Sequence, residues 1–153
     1  MTVKRVLVLF NFSAFDERVL HYVIKTYAGQ KNIEVTLFHV YTPLPAIDRS
    51  SPRLGALRST LAGMWTEIRE KAQDLRTVKD DLIENGFDEN QIKTVFRPRT
   101  KSIAAEIVDA VREGNYTTVV MSREPGKATR IFTANIHDAL LSALRDMEIV
   151  III

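Results

Sequence analysis

A group of cationic side chains follows the apolar segment TTVVM, in the stretch SREPGKATRIFTAN that leads into a predicted helix. The cations are Arg123, Lys127 and Arg130, and such groups beside a helix N-terminus can bind an anion such as phosphate. A nucleotide loop also needs glycines, because only glycine lets backbone N–H groups approach phosphate closely. This stretch has one glycine, and PGKAT has Ala128 where a Walker loop needs Ser or Thr. The residues predict either an anion site of unusual shape or a solvated loop.

No arrangement of residues in the chain predicts catalysis. The sequence has no cysteine, which excludes thiolate nucleophiles, disulfides and cysteine-ligated zinc. The histidines, His21, His39 and His137, lie far apart and lack the spacing of metal ligands. Ser13 has no identifiable base beside it, so a helix cap explains it better than a nucleophile. We therefore predict that the protein is not an enzyme and holds no metal.

Five apolar or β-branched segments predict the strands that must position these loops. They occupy residues 6–10, 35–40, 92–96, 117–121 and 149–153. Four are continuous apolar runs, as expected of strands covered on both faces, whereas IKTVF at 92–96 alternates and predicts a strand nearer an edge.

Helical patterns alternate with the strands. The first opens with Ser13 and Asp16, spaced as in a capping box, and closes near Gly29. The second covers residues 61–82, with Trp65 on its inward stripe. It follows a proline-containing connection at 41–57 that predicts irregular structure.

The third helical pattern covers residues 103–111, and the fourth covers 136–147 with Asn135 or Thr133 as its cap. The resulting β-α alternation predicts a single α/β domain over residues 1–153, with a doubly wound, Rossmann-like parallel sheet and helices on both faces. In such sheets, ligands bind beyond the carboxyl ends of the strands, where the winding direction reverses.

The bulk composition limits the classes of partner that the protein is expected to bind. With 153 residues and a net charge of +2, the chain is an ordinary globular domain without the cationic excess of a nucleic-acid binder. No apolar segment is long enough to span a membrane, and the absence of cysteine fits a reducing compartment. These features predict a cytoplasmic protein without nucleic-acid or membrane partners.

The chain resembles the universal stress protein family over nearly its full length. The resemblance is carried by VKRVLVLFNFSAFDERVLHYV, by VTLFHVY, by TKSIAAEIVDAVREGNYTTVVMS, and by the closing helix with IVIII, in the family's order. It implies a five-stranded sheet in the order 3-2-1-4-5 and a homodimer, commonly formed through the last strand. That strand, from Ile149 to Ile153, would be an apolar edge, which favours pairing with a second copy.

One branch of that family binds ATP where the first and fourth strands meet. Its signature is an aspartate ending the first strand and G-x-x-G, nine residues, then G-[ST] after the fourth. The resemblance aligns that site with Asn11, Val40, Ser122 (or Met121), Glu124 or Pro125, Ala134 and Asn135. Every signature glycine is missing, and a β-carbon or a proline at such positions blocks backbone contact with phosphate. The resemblance therefore implies no bound cofactor, with ATP and AMP disfavoured.

Three hypotheses follow. The first is a non-catalytic, stress-response homodimer with a degraded ATP site, acting by interaction or by sensing a small anion near Ser13, Arg123, Lys127 and Arg130. The second is an adenine-nucleotide binder with at most slow hydrolysis, using Asn11, Val40, Ser122 and Asn135 in an altered pocket. The third is a regulatory domain that serves a transporter or a kinase.

Overall fold

The computed structural model describes residues 2–44, 54–123 and 134–153. Five parallel strands form one sheet in the order β3-β2-β1-β4-β5. The strands are β1 Lys4–Leu9, β2 Ile33–Tyr41, β3 Ile92–Pro98, β4 Thr118–Ser122 and β5 Glu148–Ile152. The helices are α1 Asp16–Tyr27, α2 Leu54–Glu84, α3 Ile103–Gly114 and α4 Ala134–Ala143, with a one-turn 3₁₀ helix at Glu89–Gln91. The predicted fold, strand order and edge position of β3 are confirmed, and strand ends differ from prediction by no more than two residues.

The sheet divides the core into two apolar layers because successive strand residues point to opposite faces. In β1, Val6 and Val8 pack in one layer, which includes residues of α1 and α2. Leu7 and Leu9 pack in the other, with residues of α3 and α4. The interior of β1 is inaccessible to solvent, as expected of a central parallel strand covered by helices on both faces. This layering places the carboxyl ends of β1, β2 and β4 side by side.

The second helix corrects two predictions. Helix α2 begins at Leu54, so part of the connection predicted to be irregular is helical. The inward position predicted for Trp65 is wrong, because this side chain is 49% exposed. A helix of 31 residues is about 46 Å long, which exceeds the length of any strand here. Leu75 and Leu82 in its second half are buried, and Met64 and Ile68 beside Trp65 are half-buried. Trp65 lies about 60–100° around the helix from these residues and therefore off the inward face.

The helix starts also differ from the predicted ones. Helix α1 begins at Asp16, with Phe15 at the N-cap position, rather than directly after Ser13. Helix α4 begins at Ala134, so Asn135 lies inside the helix and its predicted role as the cap is wrong. The alternative cap, Thr133, lies outside the described residues. Within the ranges that the structure describes, no helix is both long and apolar enough to cross a membrane.

Candidate functional site

The winding of the sheet reverses at β1, between β2 and β4. Asn11 follows β1 and Ser122 ends β4, so the structure places these two predicted site residues at the carboxyl ends of adjacent strands, and both are buried. Val40 lies near the end of β2, on the other side of β1. Ala134 and Asn135 form the first turn of α4.

The predicted cationic group is only partly described. Arg123 is exposed, and its backbone N–H donates to the carbonyl of Ile152 at 2.8 Å, which extends the pairing of β4 with β5. Lys127 and Arg130 lie outside the described residues.

The loop after β1 is closed by a carboxylate from the start of α1. The backbone N–H of Asn11 donates to Asp16 Oδ1 at 3.3 Å, and the N–H of Ser13 donates to Asp16 Oδ2 at 3.0 Å. Phe12 between them has φ +54°, a left-handed conformation that non-glycine residues seldom adopt. This curled backbone directs its donors towards one acceptor, and that acceptor belongs to the protein itself. A ligand phosphate at this place would meet a buried negative charge.

Ser13 forms only half of the predicted capping box. The reciprocal bond, from the Ser13 N–H to the Asp16 carboxylate, is present. The Ser13 hydroxyl, however, accepts from the N–H of Phe15 at 3.3 Å instead of from Asp16. The predicted bond from the Asp16 N–H to the Ser13 hydroxyl is absent because the turn before α1 is tighter by one residue. Ser13 therefore shapes the loop, and its hydroxyl is engaged there.

Burial raises the pKa of the Asp16 carboxyl to about 6, although the N–H groups of Asn11, Ser13 and Phe12 act to lower it. Because this value lies above the ordinary 3.8 of an unfolded chain, the folded protein binds the proton more tightly. Stability from this group is therefore greatest at acidic pH and falls as the pH rises from about 4 to about 6.

We expect Asp16→Asn to remove this pH dependence. The free energy of unfolding of the unmodified protein, minus that of the variant, should fall by about 2–3 kcal/mol between pH 4 and pH 7. Urea unfolding at intervals of pH measures the difference, in which the other titrating groups cancel. Two parallel curves would show that Asp16 does not titrate in this range.

An aromatic row lies near the carboxyl ends of β1, β2 and β3. The ring of Phe12 packs edge-on against His39 at 4.7 Å between centroids, and Phe96 stacks on His39 at 5.7 Å and on Tyr41 at 4.7 Å. The Nδ1 atom of His39 lies 2.8 Å from the carbonyl oxygen of Phe10, which fits an Nδ1–H that donates. Burial lowers the pKa of His39, so the ring is neutral near pH 7. His39 is thus a packed side chain of this row.

A cleft of about 450 Å³ opens beside the aromatic row, between the end of β2 and α2. It is lined by His39, Val40, Tyr41, Thr42, Met64, Glu67, Ile68, Lys71, Arg99 and Ile103. Its cations are Lys71 and Arg99. The ammonium of Lys71 pairs with Glu67 at 3.4 Å, and the backbone N–H of Arg99 donates to the carbonyl of Tyr41. The cleft can accept a flat, partly apolar ligand that carries an acidic group. Of the predicted site residues, Val40 lines it.

The loop after β3 is held internally by the carboxylate of Glu106, which is buried. This carboxylate accepts from the N–H groups of Thr100 and Lys101 and from the Thr100 hydroxyl, and it pairs with Arg97 at 3.5 Å. Burial acts to raise the pKa of Glu106, but these hydrogen bonds and Arg97 bring it below its usual value. Ser102 caps α3 by accepting from the N–H of Ala105. This loop is therefore a structural support of the cleft.

The described part of the chain contains no group of three or more His, Asp or Glu side chains arranged to hold a metal ion. Of the cleft lining only Val40 is predicted from the sequence, and two residues of the loop after β1 are also not predicted as site residues. Asp16 was recognised only as part of a cap, and Phe12 was not singled out. A positive φ at a phenylalanine has no sequence signal, since glycine or asparagine is the usual residue there.

Comparison with known proteins gives a consistent result. The sequence profile of the Universal stress protein family matches residues 2–144. Universal stress protein UspA from Lactobacillus plantarum is 13% identical with a TM-score of 0.67, and the match covers 100% of this chain and 99% of that chain. The universal stress protein from Archaeoglobus fulgidus in complex with dAMP is 17% identical with a TM-score of 0.63, covering 100% of each chain.

A universal stress protein in complex with cAMP is 15% identical with a TM-score of 0.56, covering 100% of this chain and 98% of that one. At these identities the structural likeness demonstrates the shared fold alone. No curated protein matches the chain by sequence.

Proposed function

Because the chain belongs to the universal stress protein family, we propose that it is a non-catalytic member that does not hold a triphosphate where β1 and β4 end. It acts in a stress response as a homodimer, through interaction or through a small anionic ligand. The observation that carries this proposal is the engagement of the Asn11 and Ser13 N–H groups by Asp16. Its cytoplasmic location and its service to a transporter or a kinase stay predictions.

The electrostatics of the β1 loop support this proposal. A triphosphate needs donors that are unpaired and a local potential that is positive. Here two donors of the loop are paired with a buried carboxylate, and Phe12 covers the approach from the cleft side by packing against Phe10 and His39. A phosphate that bound these N–H groups would have to displace the Asp16 carboxylate from them. The phosphate and the carboxylate would still lie close together in a desolvated site, where their repulsion opposes binding.

Thermal unfolding with millimolar ATP tests the proposal. A ligand that binds only the native state stabilises it by RT ln(1 + [L]/Kd), so micromolar binding would raise the melting temperature by several degrees. We expect no shift with ATP, with or without Mg²⁺. A saturable rise with ATP that exceeds the rise with AMP would contradict the proposal, because the extra phosphates would then contribute to binding.

A second candidate function is the binding of an adenine mononucleotide with at most slow hydrolysis. The cleft at Val40 and Tyr41 favours it, because a base could lie there while Lys71 faces a single phosphate. The complexes of two related structures, one with dAMP and one with cAMP, are consistent with this idea. Under this candidate AMP or cAMP stabilises the protein, Lys71→Gln weakens the effect several-fold, and Lys25→Gln on α1 leaves it unchanged.

The proposed dimer forms through β5, an edge strand of the sheet. Its residues from Ile149 to Ile152 are only partly buried, and Ile153 is 65% exposed. The guanidinium of Arg18 donates to the Ile153 carbonyl at 3.0 Å, so a side chain covers the end of this edge. The remaining edge is short and apolar, which suits pairing with the same strand of a second copy.

A further inference from the structure

One flank of α2 carries side chains spaced alternately four and three positions apart. We call this set the arginine–tryptophan stripe; it consists of Arg58, Ala62, Trp65, Arg69, Ala72 and Arg76. Because an α-helix has 3.6 residues per turn, this spacing keeps all six side chains on one side of the helix. The stripe contains every arginine of α2 and the only tryptophan of the chain.

The stripe is accessible and its charge is of one sign. Trp65 is 49% exposed, its arginines are exposed, and Ala72 is half-buried. Between Arg58 and Arg76 the carboxylates of Glu67, Glu70 and Asp74 lie about 120–180° around the helix from the centre of the stripe. Asp80, one turn after Arg76, is on the same flank and marks the end of the cationic stripe. Glu67 is moreover paired with a lysine, at 3.4 Å. Positive charge and aromatic surface are thus collected on one flank.

A shallow depression of about 500 Å³ lies along the stripe. It is lined by Thr66, Arg69, Glu70, Ala72, Gln73 and Arg76. The guanidinium of Arg76 donates to the side chain of Gln73 at 3.2 Å, which holds it at the border of the depression. Small residues at 62 and 72, on either side of the indole, allow another backbone to approach closely. The flank therefore offers a recess for an aliphatic side chain between two guanidinium groups.

We propose that the arginine–tryptophan stripe docks an acidic, amphipathic helix of a partner protein. Arg69 and Arg76 are seven residues apart, which is about 10.5 Å along the axis and equals the spacing of carboxylates seven residues apart on a helix lying alongside. The partner's apolar residues pack on Trp65, an aromatic of the kind that anchors interfaces.

Two other occupants fit the surface less well. A second copy of the stripe would bring guanidinium groups against guanidinium groups, and this repulsion opposes self-association through α2. A nucleic acid would find only three arginines on this flank, on a chain whose net charge is +2. Nucleic-acid affinity depends on many neutralised phosphates, which this flank cannot supply.

Trp65 makes the test direct, since its fluorescence reports on this flank alone. The probe is a synthetic helical peptide with leucines on one face and glutamates seven residues apart. We expect it to shift Trp65 emission to shorter wavelength in a saturable, salt-sensitive way. A peptide of the same composition in scrambled order should bind at least about tenfold more weakly, because only the first matches the spacing of the stripe.

Charge reversal supplies the matched controls. Arg69→Glu with Arg76→Glu should weaken peptide binding by about tenfold or more. Arg112→Glu with Arg145→Glu changes the net charge equally at exposed positions away from α2 and should have little effect. If the glutamate pair disturbs folding by circular dichroism, the glutamine pair at 69 and 76 replaces it. The proposal is wrong if emission does not change, if the scrambled peptide binds equally, if both charge-reversed pairs weaken binding equally, or if a thymidine oligonucleotide binds more tightly than the peptide.

Discussion

Ile151→Pro is expected to dissociate the proposed β5 dimer into monomers. In β5 the N–H of Glu148 donates to Thr117 and the carbonyl of Ile152 accepts from Arg123, so these residues face β4. Backbone groups alternate between the two sides of a strand, and Ile149 and Ile151 therefore direct theirs to the open edge. Proline at 151 removes a donor there without removing a bond to β4.

A symmetric dimer would lose two hydrogen bonds, which raises its dissociation constant roughly 100-fold. Ile151→Ala is the matched control, because it loses the side chain that packs on the α3 and α4 side but keeps the N–H. Sedimentation equilibrium or light scattering with mass determination distinguishes the two variants. A proline variant that stays dimeric, or an alanine variant that dissociates equally, would place the interface elsewhere.

Gly114→Ala is expected to destabilise the fold by about 2 kcal/mol, because an added β-carbon would overlap the ring of Tyr116. The ring cannot move freely. Its hydroxyl donates to the Thr36 hydroxyl at 2.8 Å, on a side chain that is fully buried, and the Arg5 guanidinium lies 5.1 Å from the ring centroid. Asn115, between Gly114 and Tyr116, has φ +52°, so the chain turns back and places Tyr116 over the end of α3.

Gly63→Ala is the control, and its effect on the free energy of unfolding is expected to be opposite in sign. Gly63 lies inside α2, and an added β-carbon there would meet nothing within 4 Å. Alanine should therefore stabilise the protein by about 0.5–1 kcal/mol through its higher helix propensity. Urea unfolding of the two variants against the unmodified protein measures both effects. A Gly114→Ala variant as stable as the unmodified protein would mean that the contact of Gly114 with Tyr116 does not restrict this position.

The sheet could be predicted because its sequence signals are local and repeated. Continuous apolar runs marked the four strands that pack on both faces, and the alternation in IKTVF marked β3 at the edge. The first part of α2 escaped prediction because Pro45 and Pro52 precede it and its apolar spacing is irregular. The inward position predicted for Trp65 is wrong because Trp65 lies about 60–100° around the helix from Met64, Ile68 and Leu75, at the border of the apolar face, where an apolar residue can be on either side.

The site was harder to predict because its decisive features depend on tertiary contacts. The Ser13–Asp16 spacing correctly indicated a helix start, yet it could not reveal that the carboxylate reaches back to Asn11. That bond needs the left-handed backbone of Phe12, which is maintained by packing against His39. The absence of the signature glycines predicts a changed phosphate site, which stays a prediction. The bonds from the loop to Asp16 depend on tertiary structure and carry no sequence signal.

The backbone N–H donors of Asn11 and Ser13, after β1, are occupied by the carboxylate of Asp16. The most direct measurement is the amide spectrum of ¹⁵N-labelled protein during titration with ATP to millimolar concentration. The Asn11 and Ser13 amide resonances are expected to stay unchanged, even if residues of the cleft near Tyr41 respond. Saturable shifts of both amides, with a matching change at Ser122, would mean that phosphate displaces Asp16 and would contradict the account.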